Sequence, residues 1–325
     1  MKNFLKSNLP SSVQTFLSAI RDLITIFKWC LLKVCSVFMY RLFGISHETS
    51  LSLIKLGNSL FSRNYPDEMY ADYESYYSYV TPVDASLSVY GHLGDIDEWI
   101  KGKKVLDLGA GLGQYSESII SRGASSVTAL EYQKCKADWI QQRIQGVRVV
   151  QGSASELPFE DSSFDSIFSH TVFEHLPDVK KALLEAHRVL RPGGQFLLSF
   201  NYLSHRGGHH LFPYIHFPWP LNIVPEQYLC RYWSEEVQKA QENGGMGFYE
   251  DGVNISGLSA GEEIHLNRME YSEFEREVLD AGWRQVARWS SEPWGRLWPW
   301  LAVSSPIRHA ATGTVYYRLE KPVSN

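Results

Sequence analysis

The stretch KKVLDLGAGLGQY, residues 103–115, decides the fold. Its apolar run stops at an acid, Asp107, and then passes through Gly109, Gly111 and Gly113 into residues that suit a helix. A strand, a turn of residues free to take positive φ, and a helix starting near Gln114 account for that order. The same alternation continues downstream. It predicts further strands in SSVTALE (125–131), VRVVQGSA (147–154), FDSIFSH (164–170) and QFLLSF (195–200), and helices in KCKADWIQQRI (134–144) and DVKKALLEAHRVL (178–190). Gly123 caps the first helix, Gly146 follows the second, and RPGG (191–194) ends the third. Strands that alternate with helices build a parallel sheet covered on its faces. Further on, SEFEREVLDAG (272–282) reads as a helix, and WRQVARWS (283–290) and TGTVYYRLEK (312–321) read as two more strands.

The chain has 325 residues, 44% apolar and 21% charged, enough to bury a sizeable core in one large domain or two small ones. A formal charge of −5 offers no basic footprint for wrapping nucleic acid, which is therefore not an expected partner. Cys30, Cys35, Cys135 and Cys230 lie in unrelated segments without a CxxC pair, a usage that fits a reducing, cytoplasmic compartment. Aromatic residues make up 14% of the chain and gather at 61–99 and 212–300, as walls around something flat or greasy would.

A glycine-rich turn between strand and helix lets backbone approach a nucleotide-like ligand, and an acid ending the next strand can accept from both ribose hydroxyls. Glu131 closes SSVTALE 22 residues after Gly109 and holds that position. The dinucleotide fingerprint GxGxxG is not met, because Gln114 stands where its third glycine belongs. A ligand with an ammonium group and no pyrophosphate has a use for Asp107 inside the strand, and a dinucleotide has none.

These residues resemble the Rossmann-like (class I, type 11-like) S-adenosylmethionine-dependent methyltransferases. VLDLGAGLG (105–113) is similar to the first motif of that family, and GSASELPFEDSSFD (152–165) to its adenine segment. SHTVFEHLPD (169–178) and LLEAHRVLRPGGQFLLSF (183–200) resemble the fourth-strand and fifth-strand blocks. The resemblance is strong over 101–200 and weak over 267–320. It implies an α/β fold with a seven-stranded, mostly parallel sheet and helices on both faces. It also implies a methyltransferase domain over 101–322 with a substrate-side insertion at 201–266 after the fifth strand. The implied cofactor is S-adenosyl-L-methionine, with S-adenosyl-L-homocysteine as product. Matched residue by residue, the cofactor contacts fall on Asp107, Gly109, Ala110, Gly111, Gly113, Glu131, Tyr132, Ser153, Ala154 and His170, with Leu157 and Phe159 flanking the adenine. Asp107 serves either the loop or the methionyl ammonium. Ser153 departs from the usual acid of the family and offers a neutral, weaker contact. A non-catalytic cofactor-binding scaffold is the alternative reading, and an NAD-dependent oxidoreductase a third.

Two flanks lie outside that resemblance. Residues 1–60 read as an amphipathic helical segment, and 61–100, with Tyr65, Tyr70, Tyr73, Tyr76, Tyr77 and Tyr79, as an aromatic-rich lead-in or cap. Within 13–43, Arg21, Asp22, Lys28 and Lys33 interrupt the apolar run, so the segment is not expected to span a bilayer. At about 100° per residue, Gln14, Ser18, Arg21, Asp22, Thr25, Lys28 and Lys33 share one side, with Phe16, Ile20, Leu23, Phe27, Leu31 and Val34 mostly opposite. The first expectation is that the apolar side covers the globular core; the second is a peripheral contact with a membrane.

The insertion 201–266 is too long for an ordinary connection and reads as functional. His205, His209, His210 and His216 lie close together in it, but without a cysteine or a regular carboxylate partner they make a poor metal set, and no metal is expected. The expected reaction is metal-independent methyl transfer to a small, fairly hydrophobic acceptor, to oxygen rather than nitrogen or carbon. A hydroxyl acceptor needs a base close by, and histidine qualifies without special tuning. His210 and His209, which follow Gly207 and Gly208 in a segment whose sequence would allow it to move, stand ahead of His170 at the end of the fourth strand. His175 is as readily structural.

Overall fold

The computed structural model describes residues 11–61, 87–201, 214–242, 269–290 and 314–323, together with Glu74, Tyr77 and Ser78. Helices α1 (Ser11–Phe43) and α2 (His47–Leu60) come first, and the short α3 (Asp97–Ile100) leads into the sheet. Then follow β1 (Lys104–Leu108), α4 (Gln114–Ser121), β2 (Ser126–Glu131), α5 (Lys134–Arg143), β3 (Val147–Gln151), β4 (Phe164–Ser169), α6 (Val179–Val189) and β5 (Leu190–Phe200). The last elements are α7 (Glu226–Glu242), α8 (Tyr271–Asp280), β6 (Arg284–Ser290) and β7 (Val315–Glu320). The chain divides into two compact units, one of Met1–Tyr65, Arg206–Glu236 and Trp294–Ala311, the other of Pro66–His205, Val237–Pro293 and Thr312–Asn325. The described residues 214–236, read from the sequence as part of the methyltransferase domain, thus fall in one unit with the N-terminal helices.

In the larger unit the seven strands run in the order β3-β2-β1-β4-β5-β7-β6. The first five are parallel, and β7 is antiparallel to both its neighbours. This is the α/β sheet the strand and helix pattern predicts. Both faces are covered, so every β1 residue after Lys104 is buried. Val105 packs with Val127, Ala129, Ile119 of α4 and Ile140 of α5 on one face. Leu106 and Leu108 pack on the other with Leu183 and Ala186 of α6 and Phe274 and Val278 of α8. Phe200 stacks on Phe274 with ring centroids 4.4 Å apart, and the Trp283 indole N–H donates to the Leu183 carbonyl at 3.2 Å. Asp178 caps α6 by accepting from the Lys181 amide at 2.9 Å.

One boundary differs from expectation. RPGG does end α6, but it also begins β5: the Gly193 amide donates to the Lys321 carbonyl at 2.8 Å and the Lys321 amide to the Gly194 carbonyl at 3.1 Å. A long-range partner just beyond β7 turns a helix stop into a strand extension. Within the lead-in, Tyr77 is buried, hydrogen-bonds Glu117 of α4, and has the Arg143 guanidinium 4.5 Å above its ring.

In the smaller unit α1 packs along one side on α2 and on residues 219–224. Leu32 and Ser36 are buried, and Ser36 Oγ donates to the Ile223 carbonyl at 2.8 Å. Lys28 Nζ donates to the Leu60 carbonyl at 2.8 Å, and the Trp29 ring meets Trp219 edge-on at 5.7 Å. Ser46 caps α2 by accepting from the Thr49 amide at 3.2 Å. The expected orientation of α1 is corrected here. The packed side includes Lys28 and Ser36, and the side carrying Phe27, Leu31 and Val34 is exposed rather than covering a core. Leu23–Phe43 is also, by its 21 residues and mean hydropathy of 1.7, long and apolar enough to cross a bilayer, despite Lys28 and Lys33.

Candidate functional site

The site lies at the C-terminal edge of the parallel strands, where open α/β sheets place their ligands. After β1 the chain turns through three left-handed glycines, Gly109, Gly111 and Gly113, with φ of 78°, 60° and 84°. The amides of Gly109 and Ala110 both donate to the Leu130 carbonyl at 2.9 Å, which ties the turn to the end of β2. The outer and middle glycines serve different ends. A Cβ on Gly109 would lie 2.4 Å from Val172, whereas one on Gly111 would meet nothing within 4 Å. Protein packing demands the first glycine, and the second fronts open space, a cradle for a ligand against bare backbone.

Glu131 closes β2 beside that space. Its carboxylate is buried and held by two backbone amides, Gly111 to Oε2 at 2.8 Å and Gln133 to Oε1 at 3.0 Å. An ionised carboxylate offers about four acceptor positions, so each oxygen keeps capacity for one more hydroxyl. Tyr132, the next residue, is exposed.

Asp107 is buried inside β1 and accepts from Ser116 Oγ of α4 at 2.6 Å, pinning the helix to the strand across the turn. Burial pushes its carboxyl up to about 7; the Ser116 hydrogen bond opposes the rise and the charge on Glu131 adds to it. A cation beside it would restore the carboxylate. Past β3, Ser153 Oγ accepts from the Ser155 amide at 3.2 Å, and Ala154 and Leu157 are buried against the core. Phe159 packs edge-on against Phe164 at 5.0 Å.

His170 follows β4. Its Nδ1 lies 2.9 Å from the Tyr90 hydroxyl and 3.2 Å from Ser199 Oγ, and the Tyr115 ring sits 4.7 Å away. Burial pulls its pKa down to about 4, so the ring is neutral at physiological pH. Tyr90, Phe168, Tyr115, Tyr316 and Trp289 continue as one aromatic wall, with successive centroids 4.8–5.4 Å apart. Thr171 holds φ 54°, costly for a β-branched residue, and its amide donates to Ser199 Oγ at 2.9 Å.

Of the sequence candidates, the structure brings Asp107, Gly109, Ala110, Gly111, Gly113, Glu131 and His170 together at one edge. His205, His209 and His210 lie outside the described residues. Sequence reasoning missed the wall and also Glu174, which is fully buried, accepts from Asn201 Nδ2 at 2.7 Å, and is pushed up to about 8 by burial. The signal for Glu174 was an acid flanked by apolar residues in FEHL, just after a strand. Among the described residues no three His, Cys, Asp or Glu side chains are placed to hold a metal.

A glycine turn and an acid at the ends of adjacent parallel strands define a doubly wound domain that takes a nucleoside-bearing ligand. Residues 106–198 match the family model described as "Methyltransferase domain", and this part of the chain is similar to S-adenosylmethionine-dependent methyltransferases. A protein of Mycolicibacterium smegmatis named "Probable S-adenosylmethionine-dependent methyltransferase" is 38% identical over 30% of this chain and 38% of its own length. A sarcosine/dimethylglycine N-methyltransferase of Aphanothece halophytica is 34% identical over 36% of this chain and 44% of its own. A demethylmenaquinone methyltransferase of Staphylococcus epidermidis is 36% identical over 29% of this chain and 41% of its own. The chain thus spans about two fifths of the length of these curated relatives. The cofactor of this family is S-adenosyl-L-methionine. The open space at Gly111 and the spare acceptor capacity of Glu131 fit its nucleoside.

Proposed function

We propose that this chain moves a methyl group from S-adenosyl-L-methionine to a small hydrophobic acceptor without a metal. The observation that carries the acceptor class is the run of aromatic rings Tyr115, Phe168, Tyr90, Tyr316 and Trp289 packed beside His170, of which Tyr115 and Trp289 are half-buried and the other three lie in the core. A flat or aliphatic acceptor gains from such a wall what a small zwitterion does not. The relative named for demethylmenaquinone supports this reading, and the one named for sarcosine and dimethylglycine favours a polar nitrogen acceptor instead.

The bound cofactor supplies a methyl already activated on a sulfonium, so the protein's part is mainly alignment. Glu131 accepts from the ribose hydroxyls while Gly111 lets the backbone come close. Asp107 keeps β1 and α4 in register through Ser116, and its raised proton affinity makes it responsive to an ammonium group nearby. Ser153 and Ala154 line the adenine side. Tyr115 and His170 exclude water from the path of the methyl group.

If the acceptor is a hydroxyl, the proton goes to a base. His170 is neutral but a weak base, with Nδ1 already facing two hydroxyls, so it suits positioning. His210 and His209 remain the proposed bases. Incubation with labelled S-adenosylmethionine and fractionated cell extract, followed by mass spectrometry, tests the proposal. A labelled apolar small molecule is expected; label on a polar amine, or on nothing, would count against it.

A further inference from the structure

Sixteen large apolar side chains stand exposed among the described residues, and eleven of them fall between Ile20 and Ile45. Ile20, Ile24, Phe27, Leu31, Val34, Phe38 and Leu42 recur every three or four positions, the spacing of one helical face. Phe27 is 72% exposed, Val34 66% and Phe38 62%. The stripe runs about 33 Å along α1 at 1.5 Å per residue. An uncovered face of that length is a docking surface.

The opposite face decides how it docks. Lys28 and Ser36 give their hydrogen bonds to the carbonyls of Leu60 and Ile223, and Tyr40 Oη lies 3.1 Å from Ser50 Oγ. A helix crossing hydrocarbon would carry α2 and the 219–224 backbone in with it, and irregular lipid-exposed backbone is not tolerated there. One apolar face and one occupied polar face belong to a helix lying in the plane of an interface.

Charge names the interface. Residues 1–60 hold seven Lys and Arg against two Asp and Glu, in a chain whose formal charge is −5. Lys33 and Arg41, with Tyr40, line a cavity of about 510 Å³ between α1 and residues 221–225, and Val37 and Ile45 of the exposed set sit on the same cavity. Lys33 donates to the Asn222 carbonyl, whereas Arg41 is exposed next to Leu42 of the apolar stripe, at the level phosphate headgroups occupy. Two copies of so basic a segment would repel one another rather than pair.

We propose that α1 is a monotopic docking helix, laying its Ile20–Ile45 stripe into the headgroup boundary of an anionic phospholipid membrane, with Arg41 meeting the phosphates. The test is sedimentation of the full chain with phosphatidylcholine vesicles, with and without phosphatidylglycerol. Pelleting should need phosphatidylglycerol, weaken with salt, and reverse in alkaline carbonate. Phe27→Asp with Val34→Asp should lower partitioning at least about tenfold, and Arg41→Gln about fivefold. All should leave the thermal unfolding unchanged, since these side chains are exposed. Failure to pellet with any vesicle overturns the proposal. So does a self-associating protein that Phe27→Asp returns to monomer, which would make a second copy the occupant. Resistance to carbonate extraction overturns it as well, in favour of a spanning helix.

Discussion

Helices α6 and α1 carry the same kind of amphipathic pattern and use it in opposite directions. In α6, Val179, Ala182, Leu183 and Ala186 are all buried between the sheet and α8, and the charged side faces water. In α1 the apolar row from Ile20 to Leu42 faces out, and the side bearing Lys28, Ser36 and Tyr40 faces in. Periodicity reveals that a helix has two sides; it does not say which the protein keeps for itself. The difference is set by neighbours: α6 meets apolar strands, whereas α1 meets backbone carbonyls that only donors satisfy.

The comparison breaks most visibly under truncation of the two faces. Leu183→Ala should destabilise the chain by roughly 2–5 kcal/mol, through lost burial and a cavity that the sheet cannot close. Denaturant unfolding measures this, and a value near zero would mean that α6 is as loosely covered as α1.

Buried acids in the sheet unit sharpen the contrast through pH. The Glu174 carboxyl rises from 4.5 to about 8 and that of Asp107 from 3.8 to about 7. Folded pKa values above the unfolded ones mean that stability is fully present below about pH 4 and is lost as pH climbs toward about 8. Unfolding free energy should therefore decline across that window, and Glu174→Gln should flatten the decline. A slope that persists unchanged in the variant would assign it to other groups.

The next contrast lies within the glycine turn itself. Gly111→Ala should lose roughly 1–2 kcal/mol to left-handed strain alone. Gly109→Ala should lose more, because its methyl meets Val172. Thermal unfolding ranks the pair, and calorimetry with S-adenosylhomocysteine should show the Gly111 variant weakened out of proportion to its stability. The smallest effect belongs to α1: Phe27→Ala should move stability by less than about 0.5 kcal/mol, and a large loss would show that its face is covered after all.

Much of this was legible in the chain. The strands and helices of 103–200 follow from their apolar runs and glycines, and Glu131 follows from its spacing to Gly109, because both are local properties. The aromatic wall was not, since Tyr90, Tyr115, Phe168, Trp289 and Tyr316 come from five separate elements and meet only through the strand order. RPGG was half legible: its stop signal is local, but its pairing with Lys321 depends on a residue more than a hundred positions away. The charges in 13–43 weighed against a membrane span when counted one by one, yet two of them point toward carbonyls or a cavity on the inner side. A role for the insertion histidines was not legible, because no short-range pattern names the group that a base must face.

The central claim is that the Gly111 cradle and Glu131 hold S-adenosylmethionine. Isothermal calorimetry of the wild-type chain and Glu131→Ala, each titrated with S-adenosylhomocysteine and with NAD, tests it most directly. The account predicts binding of S-adenosylhomocysteine and not NAD, with the variant weaker by roughly 1.5–3 kcal/mol for the loss of charge-assisted bonds to two hydroxyls. Equal affinity in the variant, or a preference for NAD, would contradict it.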